Sequence, residues 1–88
     1  MRRAALLYNP AAGGHRTGRL APLLRDLFAR EGVTLALRAT RGPGEATALA
    51  REAAASHELD ALFVLGGDGT VREAAAGLLG SALPLGVL

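Results

Sequence analysis

The sequence contains no cysteine, and all ten of its basic residues are arginine. Without cysteine there is no disulfide framework and no thiolate metal site, which agrees with the reducing cytoplasm, where we expect the protein to act. Without lysine the P-loop motif, which ends in Gly-Lys-Ser/Thr, is excluded. A catalytic or Schiff-base lysine is excluded for the same reason, so any phosphate bound here must be met by main-chain amides, arginine or a metal.

Aromatic residues and long apolar runs are also scarce. One tyrosine and two phenylalanines form no stacking platform, and the net charge of +2 comes from scattered arginines, so we expect no nucleic-acid partner. No apolar stretch approaches the length of a membrane span. Met1-Arg2-Arg3 leads straight into a strand-like run rather than a signal peptide. With 88 residues, half of them hydrophobic, the chain is long enough for one small domain.

Short apolar runs alternate with segments of helical periodicity. The runs predict strands at residues 4–8, 33–39, 61–65 and 85–88. Three helices are predicted between them, each with one apolar face. The apolar positions of the first helix are Leu20, Leu23, Leu24, Leu27 and Phe28, and those of the second are Ala46, Leu49, Ala50, Ala53 and Ala54. Those of the third are Val71, Ala74, Ala75, Leu78 and Leu79. This β-α-β-α-β-α-β order predicts an α/β fold of three layers, with helices on both faces of a parallel sheet.

Two boundaries carry specific expectations. Proline is tolerated only in the first turn of a helix, so Pro22 predicts a first helix that begins near Gly18 or Arg19, after a loop at residues 11–17. At the other end, residues 85–88 stop inside a predicted strand, without an exit turn or polar tail. We therefore expect an incomplete lobe of a longer chain.

The most informative motif is the turn Gly66-Gly67-Asp68-Gly69-Thr70, which directly follows the buried strand 61–65 and opens a helix. Glycine lets the main chain approach a ligand, and helix N-termini bind phosphate. A carboxylate such as Asp68 repels phosphate unless a divalent cation bridges the two or it binds a hydroxyl or N–H group. Metal-nucleotide binding is therefore the first hypothesis. Alternatively, the glycines serve the turn and Asp68 or Thr70 caps the helix.

Ligands of parallel sheets gather at the carboxyl ends of the strands, so two other loops belong to the candidate site. Asn9 follows the first strand, where the alternative is a local Asx turn before Pro10. Thr40 follows the second strand and has as its alternative a plain strand end. Arg72 and Glu73 lie within reach of the glycine turn, although Glu73 in a first helical turn also suits the helix dipole.

Other site types are excluded. The dinucleotide fingerprint requires a glycine where Arg72 stands, and it belongs after the first strand rather than the third. His15 and His57 have no partner ligands and are predicted to be solvated. No Ser-His-Asp or metal-cluster spacing is present, and we assign no catalytic residue.

Taken together, these positions resemble the N-terminal part of the diacylglycerol kinase catalytic domain, a lipid-kinase family that includes sphingosine kinases. The resemblance covers essentially the whole chain. It rests on Tyr8-Asn9-Pro10-Ala11-Ala12-Gly13, on Thr40, on residues 66–73 and on Leu83-Pro84-Leu85-Gly86. The glycine-aspartate core is shared with NAD kinases and phosphofructokinases. Arg72 departs from the asparagine usual in the family.

The resemblance implies a nucleotide partner, ATP, with Mg²⁺ assisting phosphoryl transfer to a lipid hydroxyl of the diacylglycerol type, and it assigns Asp68 to the magnesium–phosphate contact. The implied nucleotide-binding residues are Asn9, Pro10, Ala11, Ala12, Gly13, Thr40, Gly66, Gly67, Asp68, Gly69, Thr70, Val71, Arg72 and Glu73. Such an enzyme is peripheral to the membrane when it acts, and it meets its lipid through a second, β-rich domain that is absent from residues 1–88.

We therefore expect these 88 residues alone to bind nucleotide weakly, if at all, and to be inactive on lipid. Two alternatives stay open. One is a relative of NAD kinase, in which Asp68 would act on a ribose hydroxyl. The other is a non-catalytic α/β module that binds nucleotide. A homodimer is also compatible with the sequence.

Overall fold

The computed structural model describes residues 1–88 as a regular alternation of strands and helices. The strands are β1 (Arg3–Tyr8), β2 (Thr34–Ala39), β3 (Ala61–Leu65) and β4 (Leu85–Val87). The helices are α1 (Ala12–Arg30), α2 (Glu45–Ser56) and α3 (Asp68–Gly77). None of these helices combines the length and the apolarity that crossing a membrane requires.

All four strands are parallel and form one sheet in the order β2-β1-β3-β4. β1 is central, and its register places Leu6 beside Leu37 on β2 and Phe63 on β3. Four consecutive residues of β1, positions 4–7, are buried, as expected for a strand covered on both faces. The predicted fold class, a three-layer α/β structure with a parallel sheet, is confirmed.

The helices divide between the two faces of the sheet. α2 and α3 cover one face, where the core consists of Ala5, Leu7, Ala46, Ala50, Leu62, Val64, Ala74 and Leu78. α1 covers the other, where the core is Ala4, Leu6, Ala21 and Leu35. Phe28 of α1 meets Phe63 of β3 edge to face, with ring centroids 5.2 Å apart. The chain thus crosses from one face to the other after β2, and all strand-to-helix loops leave from the same edge.

The start of α1 differs from the prediction. The helix includes residues predicted as a loop, but Gly13, Gly14 and His15 have left-handed φ angles of 60°, 66° and 71°. Regular right-handed helix follows from this turn, so Pro22 lies inside the helix rather than in its first turn. Because proline has no N–H group, the helix lacks one main-chain hydrogen bond, the one that residue 22 would donate to the carbonyl of Gly18.

Two apolar helix faces were predicted too broadly. Leu24 and Phe28 pack on the sheet, but Leu20, Leu23 and Leu27 are exposed, with 37, 58 and 52% of their surface accessible. On the opposite face of the sheet, α3 ends at Gly77, and its final predicted contact, Leu79, is 84% exposed. Apolar spacing identified the helices correctly but overestimated how much of each helix the sheet covers.

Candidate functional site

The candidate site lies at the carboxyl edge of the sheet, where the chain leaves β1, β2 and β3. Hydrogen bonds connect the three loops there. The Thr40 N–H group, after β2, donates to the Tyr8 carbonyl of β1 at 2.8 Å. The Gly44 N–H group, before α2, donates to the Glu73 carboxylate of α3 at 3.1 Å. The structure therefore brings the predicted residues of all three loops to one edge.

The turn between β3 and α3 leaves its main chain open. Gly66 has a φ of 156°, and a Cβ atom there would lie 3.5 Å from the Thr70 hydroxyl oxygen. Gly67 and Gly69 have ordinary φ angles, and a Cβ atom added to either would meet nothing within 4 Å. Neither glycine is thus required by backbone conformation or packing. Alanine at position 69 would be the better helix former, so neither the helix nor its packing accounts for a glycine there.

Asp68 is the first residue of α3, and its side chain is exposed and accepts no hydrogen bond. The N-cap position is Gly67, and no side chain caps the helix, so neither Asp68 nor Thr70 has the capping role considered above. The first N–H groups of a helix have no acceptor within it. The start of α3 therefore presents free main-chain donors next to a carboxylate that has no protein partner.

The loop after β1 is organised by its own hydrogen bonds. The Asn9 side-chain oxygen accepts from the Ala11 N–H group at 3.0 Å, which is the Asx turn considered as an alternative. Its main-chain oxygen accepts from Ala12 at 3.0 Å and from the Thr17 hydroxyl. The side-chain N–H groups of Asn9 donate no hydrogen bond within the chain, and its ligand role stays a prediction. Thr17, buried at the loop's end, was not predicted as a site residue.

Close packing fixes the rest of this first loop. A Cβ atom at Gly18 would lie 3.3 Å from the Pro10 oxygen, so the two segments are in contact. Ala11 and Gly13 are exposed, and Ala12 is half-buried. The left-handed turn after Ala12 directs the chain from the sheet edge onto the face covered by α1. The predicted phosphate contacts of this loop would therefore come from its exposed main chain.

Thr40 is buried, with 8% of its surface accessible. Its hydroxyl oxygen lies 3.4 Å from the Tyr8 carbonyl oxygen, which is long for a hydroxyl hydrogen bond. The short main-chain bond to Tyr8 supports the strand-end alternative, while the weakly engaged hydroxyl remains able to donate elsewhere. Its ligand role stays a prediction.

Three predicted residues of α3 have different surroundings. Val71 packs against the core, and its N–H group is engaged because it donates to the Gly67 carbonyl at 3.2 Å, so its ligand role stays a prediction. Arg72 is exposed and forms no hydrogen bond or ion pair. Glu73 is half-buried and already accepts from Gly44. Of these three side chains, only that of Arg72 is exposed and neither packed against the core nor hydrogen-bonded. The sequence does not reveal this difference, because it depends on tertiary contacts.

Metal and cavity geometry place further limits on the site. No group of three or more His, Asp or Glu side chains in the chain could hold a metal ion. Asp68 is therefore the one predicted metal contact, and a nucleotide phosphate and water would have to complete the coordination.

Two surface grooves, of about 850 and 440 Å³, lie away from the carboxyl edge and include no predicted site residue. Neither of these two grooves therefore marks the candidate site.

At the opposite edge of the sheet, where the strands begin, one carboxyl group has a clearly shifted pKa. The Asp60 carboxylate, just before β3, accepts from the N–H groups of Arg2 and Arg3 at 2.7 and 3.0 Å. These main-chain donors stabilise the charged form, so the pKa of Asp60 is lowered from its ordinary value of 3.8. This carboxylate joins the starts of β1 and β3 and belongs to the scaffold rather than to the candidate site.

Comparison with known proteins identifies the family of this chain. Residues 3–88 match the family described as the diacylglycerol kinase catalytic domain. The diacylglycerol kinase of Bacillus subtilis (strain 168) is 36% identical over 78 residues, which are 89% of this chain and 25% of that protein.

The structural comparisons cover nearly the whole chain. A crystal structure of a diacylglycerol kinase from Bacillus anthracis strain Sterne is 30% identical with a TM-score of 0.75, over 98% of this chain and 32% of that one. A second solved structure from that organism gives 31% identity and a TM-score of 0.78, over 98% and 31%. The chain thus spans between a quarter and a third of the length of these relatives. The chain belongs to the diacylglycerol kinase catalytic domain family.

Proposed function

We propose that this chain is the ATP-binding portion of a lipid kinase that transfers the γ-phosphate of ATP to a hydroxyl group of a diacylglycerol-like lipid. The observation that carries the proposal is the start of α3, where Gly67 and Gly69 leave space that no packing requires and Asp68 has no protein partner. Family membership favours a kinase over a module without catalysis, and it favours a lipid acceptor over NAD.

The residues of the turn suit a triphosphate held by its main chain. Free N–H groups at the start of α3 would donate to phosphate oxygens, where the helix dipole favours negative charge. The exposed guanidinium of Arg72 adds a positive charge next to the same turn. Phosphoryl transfer depends chiefly on positioning and charge neutralisation, so these groups meet its main requirements without lysine.

Asp68 is the residue that would hold Mg²⁺, directly or through water. Bound there, the ion would neutralise charge on the phosphates during transfer. The oxygen of the lipid hydroxyl would bond to the γ-phosphorus as the bond to the ADP oxygen breaks, and the hydroxyl proton must pass to a base. Of the two carboxylates of the candidate site, Asp68 is assigned to the metal ion and Glu73 accepts from the Gly44 N–H group, so neither is assigned to that step. We propose that the base and the lipid site, at a membrane surface, belong to a domain of the complete enzyme beyond these 88 residues.

Titration of the 88-residue chain with ATP tests the nucleotide site when the NMR signals of the Gly67 and Gly69 N–H groups are followed. With Mg²⁺ present, Asp68→Asn should weaken ATP binding by roughly tenfold or more, the usual effect of losing one charge-assisted contact. Without Mg²⁺ the same change should leave binding equal or tighter, because it removes a carboxylate that repels the phosphates. Asp26→Asn, which neutralises an exposed carboxylate on α1, is the matched control.

The decisive result is that Asp68→Asn weakens ATP binding when Mg²⁺ is present but does not weaken it when Mg²⁺ is absent. Equal effects of Asp68→Asn with and without Mg²⁺ would reject the metal contact, and signal changes confined to other loops would reject the site. For the complete enzyme, transfer of labelled phosphate to diacylglycerol, with NAD offered in parallel, tests the acceptor. Labelled NAD would support the NAD kinase alternative. Tight ATP binding by a complete enzyme that labels neither acceptor would support the non-catalytic module.

A further inference from the structure

Glu73 connects two elements that the sequence separates widely. Its carboxylate accepts a hydrogen bond from the Gly44 N–H group at 3.1 Å. Its main-chain oxygen accepts one from the Thr47 hydroxyl at 2.8 Å. Both donors belong to the N-terminal end of α2, whereas Glu73 lies in α3. A single residue thus ties α3 to the end of the loop that leaves β2.

That loop has little support of its own. Residues 41–44 are exposed, and Gly44 has a left-handed φ of 84°. As the N-cap of α2, Gly44 has no side chain that could accept a hydrogen bond, and no other side chain caps this helix. The bonds from Glu45 to Gly42 and from Ala48 to Gly44 are both long, at 3.3 Å. Besides the Thr40 bond to Tyr8 at its start, the Glu73 carboxylate is the principal anchor of this loop.

The position of Glu73 is fixed by the packing of α2 on α3. Gly77 lies four residues further along α3, on the same face as Glu73. A Cβ atom at Gly77 would lie 2.3 Å from the Thr47 carbonyl oxygen and 2.8 Å from Ala50 Cβ. The two helices therefore meet without an intervening side chain. This close approach holds the Glu73 carboxylate beside the N-terminus of α2, where a negative charge is favoured by the helix dipole.

The same bond also removes Glu73 from direct contact with phosphate. Its carboxylate is half-buried and engaged, whereas the carboxylate of Asp68 is exposed and free. A second carboxylate turned toward the phosphates would oppose their binding, unless another cation joined it. Directed at Gly44, Glu73 instead sets the distance between the β2–α2 loop, which contains Thr40 and Arg41, and the glycine turn.

We propose that Glu73 is a positioning residue whose carboxylate holds the β2–α2 loop (residues 40–44) against the start of α3, and that it contacts neither nucleotide nor metal. The loop-holding role stands on the hydrogen bonds alone. Its consequence for nucleotide rests on the proposed function, because the loop and the glycine turn then form two sides of one ATP site.

Trypsin measures the loop directly, because Arg41–Gly42 is a cleavable bond within it. In Glu73→Ala, cleavage at Arg41 relative to cleavage at Arg19 in α1 should rise about tenfold, as expected for the loss of one hydrogen bond to a charged group. Glu73→Gln keeps an oxygen acceptor and should restore the ratio to within about threefold of the unsubstituted chain. Glu52→Ala removes an exposed carboxylate from the middle of α2 that accepts no such bond and should leave the ratio unchanged.

The ratio separates loop release from general unfolding, because unfolding would accelerate cleavage at both arginines. An Arg41 ratio in Glu73→Ala equal to that of the unsubstituted chain would overturn the positioning role. Amide exchange of the Gly44 N–H group gives a second measurement, and it should accelerate in the alanine variant alone. Exchange that is equally slow in Glu73→Ala would overturn the role as well.

Titration with Mg-ATP distinguishes positioning from direct contact. Glu73→Ala should weaken binding several-fold, and Glu73→Gln should bind like the unsubstituted chain. Equal weakening in both variants, with the loop of the glutamine variant still protected, would overturn the inference by indicating that the charge itself meets the metal. If neither the unsubstituted chain nor the complete enzyme binds Mg-ATP, the proposed function fails together with the nucleotide consequence, while proteolysis and exchange still decide the loop-holding role.

Discussion

The two faces of the sheet differ in how many residues they bury. The face under α2 and α3 contains eight buried residues, and its two helices pack against each other through Gly77. The face under α1 contains four, and the half-buried Phe63 and Leu65 of β3 complete it only in part. Strands of parallel sheets are usually covered on both faces. The face under α2 and α3 is therefore the more extensively packed, and we call it the closed face, although a groove of about 440 Å³ beside β2 reaches Ala5, Leu7 and Leu62 on it. We call the face under α1 the open face.

The candidate site depends mainly on the closed face. The glycine turn continues into α3, the β2–α2 loop continues into α2, and Glu73 joins the two. α1, by contrast, follows a left-handed turn and exposes three leucines. Close helix packing is thus concentrated on the face where, in the proposed role of Glu73, two loops keep a fixed separation. It also predicts that equivalent substitutions on the two faces will have unequal effects.

The largest effect is expected at neighbouring residues of β1. Leu6 and Leu7 are both buried, at 0 and 1% exposure, but Leu6 faces α1 and Leu7 faces α2 and α3. Large-to-small substitutions in cores cost about 2–5 kcal/mol, depending on how far the surroundings collapse. We expect Leu7→Ala near the upper end of this range and Leu6→Ala near the lower end, as measured by urea unfolding. Equal losses would contradict the distinction between a closed and an open face.

The second comparison uses two glycines of α3. Gly77→Ala forces a Cβ atom against the main chain of α2 and should lower the free energy of unfolding by about 1–3 kcal/mol. Gly69→Ala meets no atom and should raise it by up to about 1 kcal/mol, because alanine is the better helix former. Thermal and urea unfolding of both variants provide the test. A destabilised Gly69→Ala chain would reject the view that this glycine serves a ligand.

Much of this closed face could be predicted from the sequence. The apolar run 61–65 coincides with β3, and three glycines after a buried strand indicated the turn and the helix. These signals are local, since each depends on residues that are neighbours in the chain. The bond from Gly44 to Glu73 could not be predicted, because it joins residues 29 positions apart.

Predictions for the open face were weaker for a physical reason. Leucine spacing marks a helix but does not tell how wide a strip the sheet covers, so Leu20, Leu23 and Leu27 were grouped with the buried residues. The left-handed turn runs through Gly13, Gly14 and His15. Two adjacent glycines indicate a loop but do not specify that three consecutive residues adopt left-handed φ angles. Thr17 and its bond to Asn9 were missed because that bond depends on this turn.

A smaller effect is expected at the amino edge, where Asp60 joins the two central strands that both faces share. Its lowered pKa means that the charged carboxylate stabilises the fold at pH values above 3.8, and that this contribution is lost as pH falls through the lowered pKa. Asp60→Asn should therefore be less stable than the unsubstituted chain at pH 7, and the two should converge below pH 3.8. Urea unfolding across pH, with Asp26→Asn as an exposed control, measures the gap. A gap that persists unchanged in acid would exclude the charge as its cause.

The smallest effect, and the most direct probe of the open face, is expected at Leu23. This side chain is 58% exposed, whereas its neighbour Leu24 packs against the core under α1. Leu23→Gln should change the free energy of unfolding by less than about 0.5 kcal/mol, and Leu24→Gln should destabilise the chain clearly, because it buries an amide among apolar side chains. Combined Leu20→Gln, Leu23→Gln and Leu27→Gln should also reduce binding of a hydrophobic dye, because exposed apolar patches promote such binding. A Leu23→Gln chain as destabilised as Leu24→Gln would mean that this flank of α1 is already packed, and the contrast between the two faces would then disappear.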